Sequence, residues 1–112
     1  MERAIIHFVE DNKVIRENVC KFISLHEEFE IGVVVVSADE FLLRQIQMPN
    51  DHIHILLLDI GLQGISGVDA IPLILDKYPD LNIVMLTTYE EEDLILKSVC
   101  NGACSYISKR AK

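Results

Sequence analysis

The sequence predicts an α/β fold, a doubly wound five-stranded parallel sheet with helices on both faces, and three observations predict it. Five apolar stretches of strand length recur along the 112 residues; the segments between them carry helical apolar spacing; and four of the five stretches end on residues with chemistry. The central stretch is HIHILLLDIGLQGISG, residues 52–67, where an apolar run meets a single acid and then a glycine-spaced loop. Such a run reads as a strand buried on both faces in the middle of a parallel sheet. Asp59 then stands at its carboxyl end, where open α/β sheets place their ligands.

Residues 4–9 form a short apolar run around His7, of strand length, that ends on Glu10 and Asp11. Asn12 is a helix cap by type, and Val14, Ile15, Val19, Phe22, Ile23 and Leu25 give the following helix one apolar face. Residues 31–36 are largely β-branched and predict strand two. Ser37 with Glu40 three later is a capping box that opens a helix through about Gln47, closed by Pro49 and Asn50.

Residues 53–58 predict strand three. Gly61, Gly64 and Gly67 loosen the loop after it, Ser66 caps a third helix that runs to Tyr78, and Pro79 ends it. Pro72 falls inside that helix and either kinks it or delays its start. Residues 83–86 predict strand four. Residues 90–100 predict a fourth helix, acidic in its first turn as the helix dipole favours, with Gly102 at its carboxyl cap, and residues 105–108 a short fifth strand.

Composition narrows the function. Half of the residues are apolar, enough for one domain across residues 1–112, and no low-complexity tract, repeat or linker divides the chain. A formal charge of -8 argues against direct nucleic-acid binding and against an anionic membrane surface, and favours cations or basic partners. Cys20, Cys100 and Cys104 make an odd set with no secretory leader before them, and no apolar run approaches the roughly 20 residues of a membrane span, so the expected setting is reducing and cytoplasmic. His7, His26, His52 and His54 lack a metal-ligand spacing and read as structural or surface residues, although His52 and His54 share one side of a strand.

With the common strand order 2-1-3-4-5, Asp59 lies between Glu10 and Asp11 on one side and Thr87 with Thr88 on the other, at about 4.8 Å per strand. Lys109 starts two strands away, roughly 10 Å, and its stem of roughly 6 Å brings the ammonium toward Asp59. Three carboxylates in one crevice repel by up to about 4 kcal/mol per pair at 4 Å and an effective dielectric near 20. A hard divalent cation compensates, and Mg²⁺ is preferred because it takes oxygen ligands while keeping waters. Asp11 and Asp59 are the side-chain ligands, with the Gly61 carbonyl beside them. An aspartate so held is placed to attack a phosphoryl group, and Thr87 to donate a hydrogen bond to the phosphoryl oxygens.

The segments FVEDN, LLLDIGLQGISGVDAI, IVMLTTYEEED and GACSYISK, in this order and each at a strand end, resemble the receiver domains of two-component response regulators over essentially the whole chain. The resemblance implies a flavodoxin-like sandwich in which Asp59 accepts phosphate from the phosphohistidine of a sensor histidine kinase or phosphotransfer protein. It implies Glu10 and Asp11 as the acidic Mg²⁺ pair, Thr87 as the switch hydroxyl, Tyr106 as the switch aromatic and Lys109 as the lysine that pairs with phosphate. The details are most similar to LuxR-type receivers, which precede a helix-turn-helix DNA-binding output domain and regulate transcription. The chain stops just after Lys109, so the expectation is a receiver truncated before its fifth helix, with the output domain absent and an uncovered apolar face that favours a homodimer.

The sequence departs from the family pattern at Gln63 and at Arg110, both positions where a proline is usual, and at Glu10, where aspartate is usual. Gly61 and Tyr89, two residues past the acceptor and the switch hydroxyl, are the positions that influence phosphate lifetime in this family. Two competing readings are a phosphate-independent interaction module and a small nucleotide- or flavin-binding domain. The loop Gly61, Gly64, Gly67 is neither a dinucleotide fingerprint nor a P-loop, which ranks the last reading lowest.

Overall fold

The computed structural model describes residues 4–48, 52–59, 67–87, 101–103 and 105–108. Five parallel strands, β1 (Ala4–Val9), β2 (Phe29–Val35), β3 (Ile53–Asp59), β4 (Asn82–Thr87) and β5 (Ser105–Ser108), pair in the order β2-β1-β3-β4-β5. The expected strand order is therefore observed. From β1 the chain turns to one side for β2 and crosses to the other for β3, so the direction of winding reverses between β1 and β3, the place where doubly wound sheets open a crevice.

Three helices lie among the described residues: α1 (Lys13–Ser24), α2 (Ala38–Leu43) and α3 (Gly67–Lys77). The predicted fourth helix lies outside them, as do Ser66, Pro49 and Asn50. Asn12 caps α1 by accepting from the Ile15 amide at 3.1 Å. Ser37 caps α2 by accepting from the Glu40 amide at 3.1 Å, and the Glu40 carboxylate reaches back past the cap to accept from the Val36 amide, one residue beyond it.

The core fills the side of the sheet covered by α2 and α3, where Val9, Val35, Leu56, Leu58, Ile83 and Met85 meet Phe41, Ile71 and Ile74. Along β3 the burial alternates: His54, Leu56 and Leu58 are buried, while Ile55 and Leu57 are half-buried. Strand three is thus sealed on one face and only half covered on the other by the described residues, instead of buried equally on both.

One boundary and one helix face differ from the sequence expectation for identifiable reasons, and the course of α3 at its proline is decided by the structure. α2 ends at Leu43 rather than near Gln47, because Arg44 turns to an extended conformation and the carbonyls of Leu42 and Arg44 accept from the Lys77 ammonium. The Tyr78 hydroxyl adds a bond to the Arg44 carbonyl at 3.0 Å and accepts from the Ile46 amide at 3.2 Å, so the end of α3 captures the groups a longer α2 would use. α1 carries an apolar band too wide for the sheet: Ile23 is buried and Ile15 and Val19 half-buried, whereas Val14, Phe22 and Leu25 are exposed. α3 runs unbroken across Pro72, which sits on its exposed side, so the proline does not delay the start of the helix. No described helix is long and apolar enough to cross a membrane.

Candidate functional site

The ladder between β1 and β3 runs without a break from Ala4↔Ile53 to Val9↔Leu58. The next residue on each strand is therefore Glu10 and Asp59, brought side by side by backbone pairing alone. The Glu10 amide donates to the Val35 carbonyl at 3.1 Å, which ties the same turn to β2, and Asp59 pairs across to Leu86 on β4. Each acid is thus seated by two neighbouring strands.

Glu10 and Asp59 are buried, at 0% and 6% exposure, while Asp11 faces solvent. One carboxylate oxygen from each lies within 4.8 Å of the others. Among the described residues this is the group of three or more acids, histidines or cysteines placed to hold a metal ion, and none of the four histidines belongs to such a group. The donor set is all carboxylate oxygen, which suits a hard divalent cation and not a soft one. Asp11 on the open side leaves room for retained waters, which fits Mg²⁺.

Asn12 links this turn to the helix after it. Its backbone amide donates to Glu10 Oε2 at 3.2 Å while its side chain caps α1, so the conformation of the acidic turn and the start of the helix are set together. Arg16 adds a bond from Nη1 to the Glu10 carbonyl at 2.9 Å. Sequence reasoning missed this role. The available signal was a cation in the first turns of a helix, where the dipole disfavours it unless something else holds it.

Thr87 closes β4 one residue beyond the partner of Asp59, and it pairs with Ser108, the residue before Lys109. Tyr106 pairs with Met85 in the last strand. The backbone therefore carries Thr87 to the same end of the sheet as the acids, while Tyr106 lies two residues below the end of β5. Gly61, Gln63, Tyr89, Lys109 and Arg110 lie outside the described residues, and so do Cys100 and Cys104. Cys20 is a free, half-buried thiol on α1, and burial raises its pKa despite the opposing charge of Arg16.

The chain spans about half the length of the curated relatives it matches. It is 27% identical over 104 residues to the transcriptional regulatory protein LnrK of Bacillus subtilis (strain 168), covering 93% of this chain and 46% of that protein. It is 25% identical over 104 residues to the transcriptional regulatory protein DegU of Brevibacillus brevis, covering 93% of this chain and 43% of the relative. Among solved structures, a LuxR-family two-component response regulator from Aurantimonas sp. SI85-9A1 superposes with a TM-score of 0.87 at 23% identity, over 99% of this chain and 77% of that one. A LuxR-family DNA-binding response regulator from Staphylococcus aureus superposes at 0.82 and 24% identity, over 96% and 88%. At such identities the two structures speak for the fold. The description "Response regulator receiver domain" matches residues 6–112, and by that match the chain belongs to the response regulator receiver domain family.

Proposed function

We propose that this chain is a phosphorylation-controlled switch of two-component signalling, with Asp59 as the phosphoacceptor. The observation that carries the reading is the convergence of the Glu10, Asp11 and Asp59 oxygens within 4.8 Å at the carboxyl ends of β1 and β3 in a receiver-family chain. In the proposed reaction a carboxylate oxygen of Asp59 attacks the phosphorus of a phosphohistidine; a P–O bond forms, the P–N bond breaks, and the imidazole leaves with its electron pair and takes up a proton. Bound Mg²⁺ would supply positive charge to the transferring phosphoryl oxygens. Glu10, Asp11 and Asp59 would hold it, with the Gly61 carbonyl as a further ligand.

The remaining roles belong to the same reading. Thr87 donates to the new phosphoryl oxygens, Lys109 pairs with their charge, and Tyr106 follows Thr87 when phosphorylation shifts a two-state equilibrium of the sheet end. The burial of Glu10 and Asp59 supports this economy, because charge in a partly dry crevice is sensitive to one added phosphoryl group. The partners are a sensor histidine kinase or phosphotransfer protein and, in the full protein, a DNA-binding output domain in a cytoplasmic regulator of transcription. The domain itself is a regulatory acceptor and not an enzyme on an external metabolite.

Intact mass after incubation with acetyl phosphate and Mg²⁺, beside an Asp59→Ala control, tests the reading. One phosphoryl mass gained by the wild type and lost in the control is the expected result. A folded wild type that gains nothing, or a control that gains as much, refutes it.

A further inference from the structure

Away from the acidic turn, a buried imidazole completes the hydrogen bonding of the sheet itself. β1 and β2 pair in step from Ala4↔Phe29 to Ile6↔Ile31 and resume at Phe8↔Val34, so two steps on β1 face three on β2. The surplus residue falls at Gly32 and Val33, opposite His7, and a bulge of this kind takes a backbone amide out of the ladder. The Val33 amide donates instead to His7 Nδ1 at 3.0 Å. Gly32 permits the approach: a Cβ there would stand 2.5 Å from His7 Nδ1 and 2.6 Å from its Cε1.

The other nitrogen of His7, Nε2, lies 3.3 Å from Nδ1 of His54 on β3, with the rings 5.6 Å apart and 10° from parallel. A nitrogen that accepts carries no proton, so neutral His7 bears its proton on Nε2 and passes it toward His54 Nδ1. Both side chains are buried, at 2% and 7% exposure.

We propose that His7 is a proton-operated latch between β1 and β2: neutral, it ties down the bulge at Val33, and protonated on Nδ1 it sets two donors against each other and releases β2 beneath the acidic turn. Among the described residues no ion pair joins His7 to an acid. From α2 the Phe41 ring meets His7 edge-on at 6.3 Å, and Glu40 on that helix is engaged with Arg44 at 3.3 Å. From β2 the exposed Glu30 pairs with Ile5, two residues before His7. Around His54 stand the His52 ring at 6.5 Å, the Asn82 amide on the His54 carbonyl, and Lys77, Tyr78 and Asp80, which share a cavity of about 410 Å³ with it. Among the described residues no carboxylate is bonded to His7.

Burial, with the neighbouring His54 charge adding to it, lowers the His7 pKa from 6.5 to about 4. Because the folded value is depressed, the stability that neutral His7 contributes is complete above about pH 6.5 and is lost as pH falls toward about 4. Within that window one proton is taken up on unfolding, so the folding equilibrium constant falls by up to about tenfold per pH unit through this residue. The rungs above the bulge are Phe8↔Val34, Val9↔Val35 and the Glu10 amide on the Val35 carbonyl, so the released stretch is the one that seats the acidic turn.

His7→Asn tests the latch, since an asparagine oxygen can take the place of Nδ1 as acceptor without titrating. Urea unfolding of both proteins from pH 7.5 to 4.5 should give the wild type a steeper loss of folding constant below pH 6.5, the difference approaching about tenfold per pH unit. Equal slopes overturn the proposal. Should the variant not fold, the wild type decides alone. Its ring ¹⁵N spectrum at pH 7.5 should show His7 protonated on Nε2, and exchange of the Val33 amide, corrected for its intrinsic rate, should rise on acidification. A proton on Nδ1, or unchanged corrected exchange, overturns the latch.

Discussion

The side-chain amide of Asn101 donates to the backbone carbonyl of Val68 at 3.1 Å, and Val68 is the residue four before Pro72. In a helix that carbonyl takes the amide proton of the residue four ahead, which a proline does not have. Asn101, far along the chain, fills the vacancy and lets α3 run through its proline. Asn101→Ala should cost about 1 kcal/mol in the wild type. In a Pro72→Ala background, where the helix serves the carbonyl itself, the cost should shrink markedly. A four-protein urea cycle measures this, and strictly additive losses would contradict it.

Gly102 stands next to Asn101 with φ at 117°, the one positive φ among the described residues. A Cβ there would lie 2.6 Å from Leu75 Cδ1. Gly102→Ala should therefore cost about 1–3 kcal/mol, mostly from backbone strain. Leu75→Ala added to it should recover little of that loss in thermal unfolding, because Leu75 can yield at its flexible end and the backbone cannot.

The acidic trio should carry a stability cost when no cation is bound. At 4.8 Å, two charges repel by roughly 3 kcal/mol at an effective dielectric near 20, less where Asp11 is solvated. Asp59→Asn should then stabilise the fold by about 1–2 kcal/mol in EDTA. The variant should also lose most of the gain that wild type shows on adding Mg²⁺. Unfolding midpoints with and without the ion give both numbers, and a variant less stable in EDTA would contradict the prediction.

Asn12 joins the acidic turn to α1, so its two contributions can be separated. Asn12→Ala should cost about 1 kcal/mol through the lost cap, and Asn12→Ser only a few tenths. The backbone amide on Glu10 Oε2 survives both changes. Mg²⁺ affinity, read by titration, should consequently follow the cap and fall in Asn12→Ala more than in Asn12→Ser.

Tyr78→Phe should cost about 1–2 kcal/mol, because it removes the acceptor of the Ile46 amide and the donor to the Arg44 carbonyl together. Limited proteolysis should show faster cleavage in residues 44–48. Unchanged protection would mean that the Lys77 ammonium holds the segment by itself.

The strands and the acids at their ends were legible in the sequence because both follow from local pattern, apolar runs of strand length that each stop at a polar residue, whereas the strand order was supplied by the common doubly wound arrangement. Glu10, Asp11 and Asp59 meet where the parallel ladder requires. The early end of α2 was not legible, since residues 44–47 have ordinary helical propensity and lose to Lys77 and Tyr78, more than thirty positions away. The α1 face misled for a related reason: the six apolar positions share a broad band, yet burial divides them into Ile15, Val19 and Ile23 against Val14, Phe22 and Leu25. The work of His7 was hidden more deeply. It depends on a slip in strand pairing, and a single chain carries no sign of that beyond Gly32 itself.

That β1 and β3 march in register while β1 and β2 do not gives the molecule one rigid seam and one adjustable one. For protein engineering this makes β1 with β3 a jig: side chains at their two tips can be exchanged singly, with the spacing between them set by main-chain pairing. Adding or deleting a residue inside either of those strands would instead turn the tips to opposite sides of the sheet, whereas β2 already tolerates one such insertion.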